Sequence, residues 1–212
     1  MNSVAETELL MQLAALLMPE DAPIEEMFRN FPAPEEWGGN YLEPDLSLCG
    51  VLKDENAALF VEYDGYWRHE GKEGMEKDMK KNAALLQYAP PGSCVMRISH
   101  TTSKPLEGNV LWIKIDTWRQ GGSKTLSKVL LDLLLEVKTS GLRRFLHPSV
   151  ANRLTIETKR HCIKLSSKVQ QLAHSAVVVG AGNTSDEVSN FLVAEGFGSQ
   201  VSALMKGLPW GI

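Results

Sequence analysis

The sequence predicts an α/β protein: a small mixed sheet flanked by helices over about residues 1–118, then a basic helical extension from about 119 to 212. Three observations carry this. Apolar residues recur at helical spacing up to about residue 18. After about residue 41 the pattern shifts to short strand-like runs with one helical stretch between them. From about 122 onward the spacing is helical again. With 212 residues, 43% hydrophobic and 23% charged, the chain has material for one sizeable domain plus an extension.

Ser3 and Glu6 have capping-box spacing, and Leu9, Leu10, Leu13, Leu16 and Leu17 follow at helical period, so a helix is expected from about 4 to 18, stopped by Pro19. Residues 19–40 carry four prolines and two glycines and read as a connecting segment, with room for one short helix near IEEMF. LEPDLSLCGVL and AALFVEYD read as two strands joined at KDEN into a hairpin. Residues 73–88 predict a helix with Met75, Met79, Ala83 and Leu86 on one stripe. PPGS breaks it, CVMRIS is a short apolar strand, and VLWIKID is a candidate strand after a loop. SKTLSKVLLDLLLEVKTSG predicts a helix ending at Gly141, and the stretch from His147 to Ala176 one long helix or two shorter ones. Thr184 and Glu187 again have capping-box spacing, and VVVGAGNTS, lacking the third glycine of a dinucleotide fingerprint, reads as the loop before that helix.

Three dispersed cysteines, Cys49, Cys94 and Cys162, argue against a disulfide framework or a cysteine zinc site. The N-terminal stretch lacks the basic start of a signal peptide, and no run approaches the roughly 20 apolar residues of a membrane helix, so a soluble intracellular protein with no membrane partner is expected. The net charge of −4 hides an asymmetry. Residues 1–64 hold 14 acidic and two basic residues, while 119–168 hold eleven basic against three acidic, a balance of +8. Such a segment, which includes Arg143 and Arg144, suits a polyanion; a solvated helical surface is the plainer alternative.

The chemistry concentrates in ALFVEYDGYWRHE, residues 58–70. Side chains alternate along a strand, so Phe60, Glu62 and Asp64 share one face and Val61 and Tyr63 the other. Two carboxylates on one face repel each other and resist desolvation, and they persist most easily with a divalent cation or water between them. Asp45, early in the preceding strand, approaches the Glu62 end if the two strands pair. Three carboxylates at one sheet edge suit a hard cation such as Mg²⁺ or Mn²⁺. Gly65 permits a sharp departure towards His69, a candidate general base or acid, and Asp78, one turn into the next helix, is a candidate to orient it. Arg68, Lys77, Lys80 and Lys81 are placed to meet a phosphate backbone.

The ordered pieces PDLSL (44–48), FVEYDGYWRHE (60–70), DMKKNAALL (78–86) and CVMRIS (94–99) resemble the PD-(D/E)XK nuclease superfamily, nearest its very-short-patch-repair-like and homing branches. The resemblance covers about residues 41–100. It implies a restriction-endonuclease-like core and Mg²⁺-dependent hydrolysis of DNA phosphodiester bonds. It assigns Asp45 to the central metal-binding aspartate, Glu62 to the acidic (D/E) position, His69 to the histidine of the repair-like branch and Asp78 to the helix carboxylate of some homing relatives. Glu8 or Glu6 would supply a first-helix carboxylate. Asp64 stands where the superfamily keeps its lysine. That departure passes the lysine's work to His69 with Asp78, or to Lys77 or Lys81 from the helix, or else marks the site as inactive. The expected partner is DNA, with RNA as the alternative and a dimer left open; Arg143 and Arg144 would grip its backbone without reading sequence. The competing readings are a catalytically silent nucleic-acid-binding module on the same fold and a protein-interaction domain.

Overall fold

The structure is a computed structural model that describes residues 4–17, 44–65, 71–118, 124–165 and 167. Helix α1 (Val4–Leu17) precedes a hairpin of β1 (Leu46–Cys49) and β2 (Ala58–Asp64). Then come α2 (Lys72–Tyr88), β3 (Cys94–Ser99), β4 (Lys104–Glu107), β5 (Val110–Lys114), α3 (Leu126–Thr139), a 3₁₀ turn (Gly141–Phe145) and α4 (Pro148–Glu157). The predicted Ser3 cap, the 19–40 connection, VVVGAGNTS and the Thr184 cap lie outside the described residues.

The strands form one mixed sheet in the order β1-β2-β3-β5-β4. β1 runs antiparallel to β2, the central β2, β3 and β5 run parallel, and β4 closes the far edge antiparallel to β5. The α/β class read from the chain is therefore observed, with a five-stranded mixed sheet. β4 is an addition: KPLE, mostly exposed, has no strand-like alternation of its own and is a strand because it pairs with β5.

The two faces of the sheet differ. On one, Leu59 and Val61 of β2, Met96 and Ile98 of β3, and Leu111 and Ile113 of β5 pack against leucines of α1 and α3 and against Val150 and Leu154 of α4 in a single core. The leucine-rich run of α3 is buried along Leu126, Val129, Leu130, Leu133, Leu134 and Val137, and the Thr125 side chain caps the helix by accepting from the Lys128 N–H. α3 and α4, read from charge as part of a basic extension, thus place their apolar sides in the same core as the sheet.

The other face is covered by α2 and is apolar only in part. Ala58, Phe60, Val95 and Leu85 form a small cluster at one end. Beyond it the face turns polar, with Glu62, Asp64, Arg97 and Ser99 all buried. The side of α2 that meets the sheet is Asp78, Asn82 and Leu85, whereas Met79 of the expected apolar stripe is 59% exposed. Charge decides the orientation here: the helix turns its polar side to the sheet because the sheet presents a buried guanidinium that must be paired.

The division of labour between the faces is testable. Truncating Leu134→Ala in the large core should lower unfolding stability by roughly 2–5 kcal/mol, read as a shifted denaturant midpoint at unchanged slope.

Candidate active site

β2, β3 and β5 end at the same side of the sheet, and ligands of parallel sheets gather beyond such carboxyl ends. The β1–β2 ladder pairs Leu46 with Val61 and Ser47 with Phe60. Carried back one residue, that register sets Asp45 opposite Glu62 on the α2 face, where directly opposed side chains lie close. Asp45 is fixed there by accepting the Tyr63 N–H at 2.7 Å through Oδ2. The side chain thereby satisfies a backbone donor at the point where β1 starts.

Glu62 receives the ammonium of Lys81 from α2, with Nζ 2.7 Å from Oε2. Its other oxygen, Oε1, is buried with no hydrogen-bond partner. Burial first, and then the neighbouring charge of Asp45, push the Glu62 carboxyl up to about 8, against the opposing pull of Lys81 and Arg97. Asp45 is raised as well, by burial, with Lys81 and the Tyr63 N–H acting the other way. The two carboxylates therefore face each other under conditions that favour a shared cation or a retained proton.

Arg97 fills the rest of the polar face. Its side chain is 1% exposed. Nε donates to Asp64 Oδ2 at 2.8 Å and Nη2 to Asp64 Oδ1 at 2.5 Å, a forked pair. Nη2 lies 2.7 Å from Asp78 Oδ1, Nη1 donates to Asn82 Oδ1 at 2.9 Å, and Glu62 Oε2 is 4.0 Å from Nη1. The guanidinium carbon stands 4.9 Å from the centroid of the Trp112 ring, over which Lys104 Nζ also lies at 5.1 Å. Burial opposes the Arg97 charge, but Asp64, Glu62 and Asp78 outweigh it.

The candidate residues thus separate. Asp45, Glu62 and Lys81 come together at the end of β2. Asp64, expected as a third metal ligand, has both oxygens on Arg97, and Asp78, expected to orient His69, binds the same guanidinium. Lys77 is exposed on α2, while His69 and Arg68 lie outside the described residues. Arg143 and Arg144 are exposed on the 3₁₀ turn beside Lys53, whose N–H binds Phe145 O, so they stand past the hairpin turn at the opposite end of β2 from Glu62.

Arg97 and Asn82 were not singled out from the sequence. The one available signal was an arginine in the middle of CVMRIS, since a central parallel strand cannot bury a charge without carboxylates around it. On the opposite face at the same end, Tyr63 Oη lies 2.8 Å from His100 Nε2, and His100 Nδ1 is 3.1 Å from Ile115 O. The carbonyl can only accept, so Nδ1 carries the hydrogen and Nε2 accepts from the tyrosine. Trp118 packs edge-on to the Tyr63 ring. Gly65 serves this arrangement, because a Cβ there would strike the Tyr63 ring.

Among the described residues no three His, Cys, Asp or Glu side chains are gathered to hold one metal ion. Two opposed carboxylates still fit Mg²⁺, which keeps several waters and commonly takes only one or two carboxylates from the protein. The buried, unpartnered Oε1 of Glu62 fits a cation as well. Among the described residues no helix is long and apolar enough to cross a membrane. Comparison with family models, curated proteins and solved structures finds no match to the chain.

The raised Glu62 group has a signed consequence for stability. Between its ordinary 4.5 and about 8, the folded chain holds a proton that the unfolded chain has lost. Stability from this group is therefore full below about pH 4.5 and falls as pH rises towards 8. In EDTA, the difference in unfolding free energy between wild type and Glu62→Gln should shift by on the order of a few kcal/mol in favour of the variant from pH 5 to pH 8. A pH-independent difference in denaturant titrations would contradict this.

Proposed function

We propose that the chain is a divalent-metal-dependent endonuclease that hydrolyses DNA phosphodiester bonds on a restriction-endonuclease-like core. The observation that carries this reading is the opposition of Asp45 and Glu62 across the β1–β2 ladder with the Lys81 ammonium seated on Glu62. Pro44-Asp45, an acidic residue on the next strand, and a lysine within reach make up the superfamily's set. The lysine here comes from the helix that follows and not from two residues along the strand, where Asp64 is engaged by Arg97.

Asp45 and Glu62 would hold the cation, which when bound offsets phosphate charge and makes a coordinated water more acidic. Lys81, 21% exposed and tethered by Glu62 Oε2, is placed to donate to a phosphate oxygen or to hold the attacking water. His69 is the proposed general base or acid. Asp64 stays outside the ligand set and fixes Arg97. Arg68, Lys77 and Lys80 are the backbone contacts near the site in sequence; Arg143 and Arg144 would meet a DNA only where it extends past the hairpin turn. Asp64 in the lysine's place is what favours the rival reading, a silent DNA-binding module, and Lys81 is the answer to it.

Supercoiled plasmid with Mg²⁺ or Mn²⁺ separates the two. Wild type should nick it, and Asp45→Ala, Glu62→Gln and Lys81→Met should each slow nicking by about 10²-fold or more. Salt-steep binding without nicking would assign the chain to the silent module, and no binding at low salt would remove DNA as its partner. Because a cation must displace the Glu62 proton, Mn²⁺ should raise the melting temperature more at pH 8 than at pH 6. Asp45→Ala should abolish that rise.

A further inference from the structure

Helix α2 carries Lys81 and meets the sheet through few apolar side chains. Its first-turn flank, Gly71, makes no side-chain cap bond. Its one buried apolar side chain, Leu85, lies towards the C-terminal end, where the partly buried Leu86 and Ala89 add cover. Ahead of Leu85, the buried side chains of α2 are the polar Asp78 and Asn82, with Met75 half-buried. Asp78 and Asn82, one turn apart, both bind Arg97, and Lys81 lies between them with its ammonium on Glu62. Arg97 has little freedom: it is buried on β3 between β2 and β5, forked onto Asp64 and set against Trp112. A lysine at that position could not reproduce the planar fork that reaches three partners at once.

We propose that Arg97 is a positioning residue: it clamps α2 through Asp78 and Asn82 and so sets Lys81 over Glu62, without touching substrate itself. The catalytic importance of that placement rests on the hydrolase reading above; the clamp does not.

The clamp is tested on the full chain by limiting treatment with an amine-reactive ester, with the labelling of each lysine read by peptide mass spectrometry. In wild type, Lys81 should react about 10-fold more slowly than Lys77 and Lys80, which are exposed on the same helix. In Arg97→Lys and in Asn82→Ala, Lys81 should react at least about 3-fold faster than in wild type, with Lys77 and Lys80 unchanged. Lys81 protection that survives in both variants overturns the proposal. Should Arg97→Lys expose every lysine by unfolding, Asn82→Ala decides alone, since it removes no charge: selective exposure of Lys81 supports the clamp and unchanged protection overturns it.

Cleavage kinetics test the functional half. Arg97→Lys should lower kcat by about 10²-fold with KM for DNA and half-saturating Mn²⁺ unchanged, and added to Lys81→Met it should cost nothing further. Additive losses would mean that Arg97 acts apart from Lys81, against the proposal. A wild type that cleaves nothing while the variants lose Lys81 protection would remove the hydrolase reading and leave the clamp standing.

Discussion

A buried guanidinium governs the α2 side of this protein. Arg97 sits on a central strand, and once it is out of water its charge must be met at short range or the fold pays several kcal/mol. Asp64, Asp78 and Asn82 meet it, with Trp112 closing the side away from them. The rest follows. α2 must present carboxylate and amide to the sheet, so Met79 turns outward. Asp64 must face Arg97, so it leaves the carboxylate pair next to it. Lys81, carried on the same face of α2, comes to rest on Glu62.

The opposite face shows how such an arrangement is tolerated. The apolar core shared by α1, α3, α4 and the sheet supplies the burial that stabilises the molecule. The polar face is thus carried by an already stable sheet. Buried ion pairs seldom stabilise a fold over an apolar alternative but are costly to break singly, which suits an assembly whose value is geometric.

Much of this was legible in the residues, for identifiable reasons. α1, the hairpin, α2 and β3 are marked by local spacing and by breakers such as the PPGS stretch. The shared face of Glu62 and Asp64 follows from strand alternation alone, and the approach of Asp45 follows from pairing two neighbouring strands. What was not legible depends on partners distant in sequence. By spacing, Met79 belonged to the better apolar face, but Arg97 drew Asp78 and Asn82 to the sheet and left Met79 exposed. β4 has no pattern of its own and exists through β5. Lys81 and Lys77 looked equivalent until the turn of α2 placed one on Glu62 and the other in solvent. Gly65 was expected to bend the chain; its visible service is to leave room for the Tyr63 ring.

The opposed pair, its lysine and the arginine all fall between residues 45 and 97, whereas much of the core under them comes from α3 and α4, beyond residue 124. The polar site and the apolar support beneath it are therefore contributed by different stretches of one chain. Sequence drift in the later helices is free to reshape the outer surface, and whatever binds there, so long as leucines such as Leu130 and Leu134 keep filling the core. Drift at Glu62, Asp64, Asp78, Lys81 and Arg97 has no such freedom, since each of these charged side chains is held by another. The two halves of the molecule are subject to different rules of change: the later one to conservation of volume, the earlier one to conservation of charge.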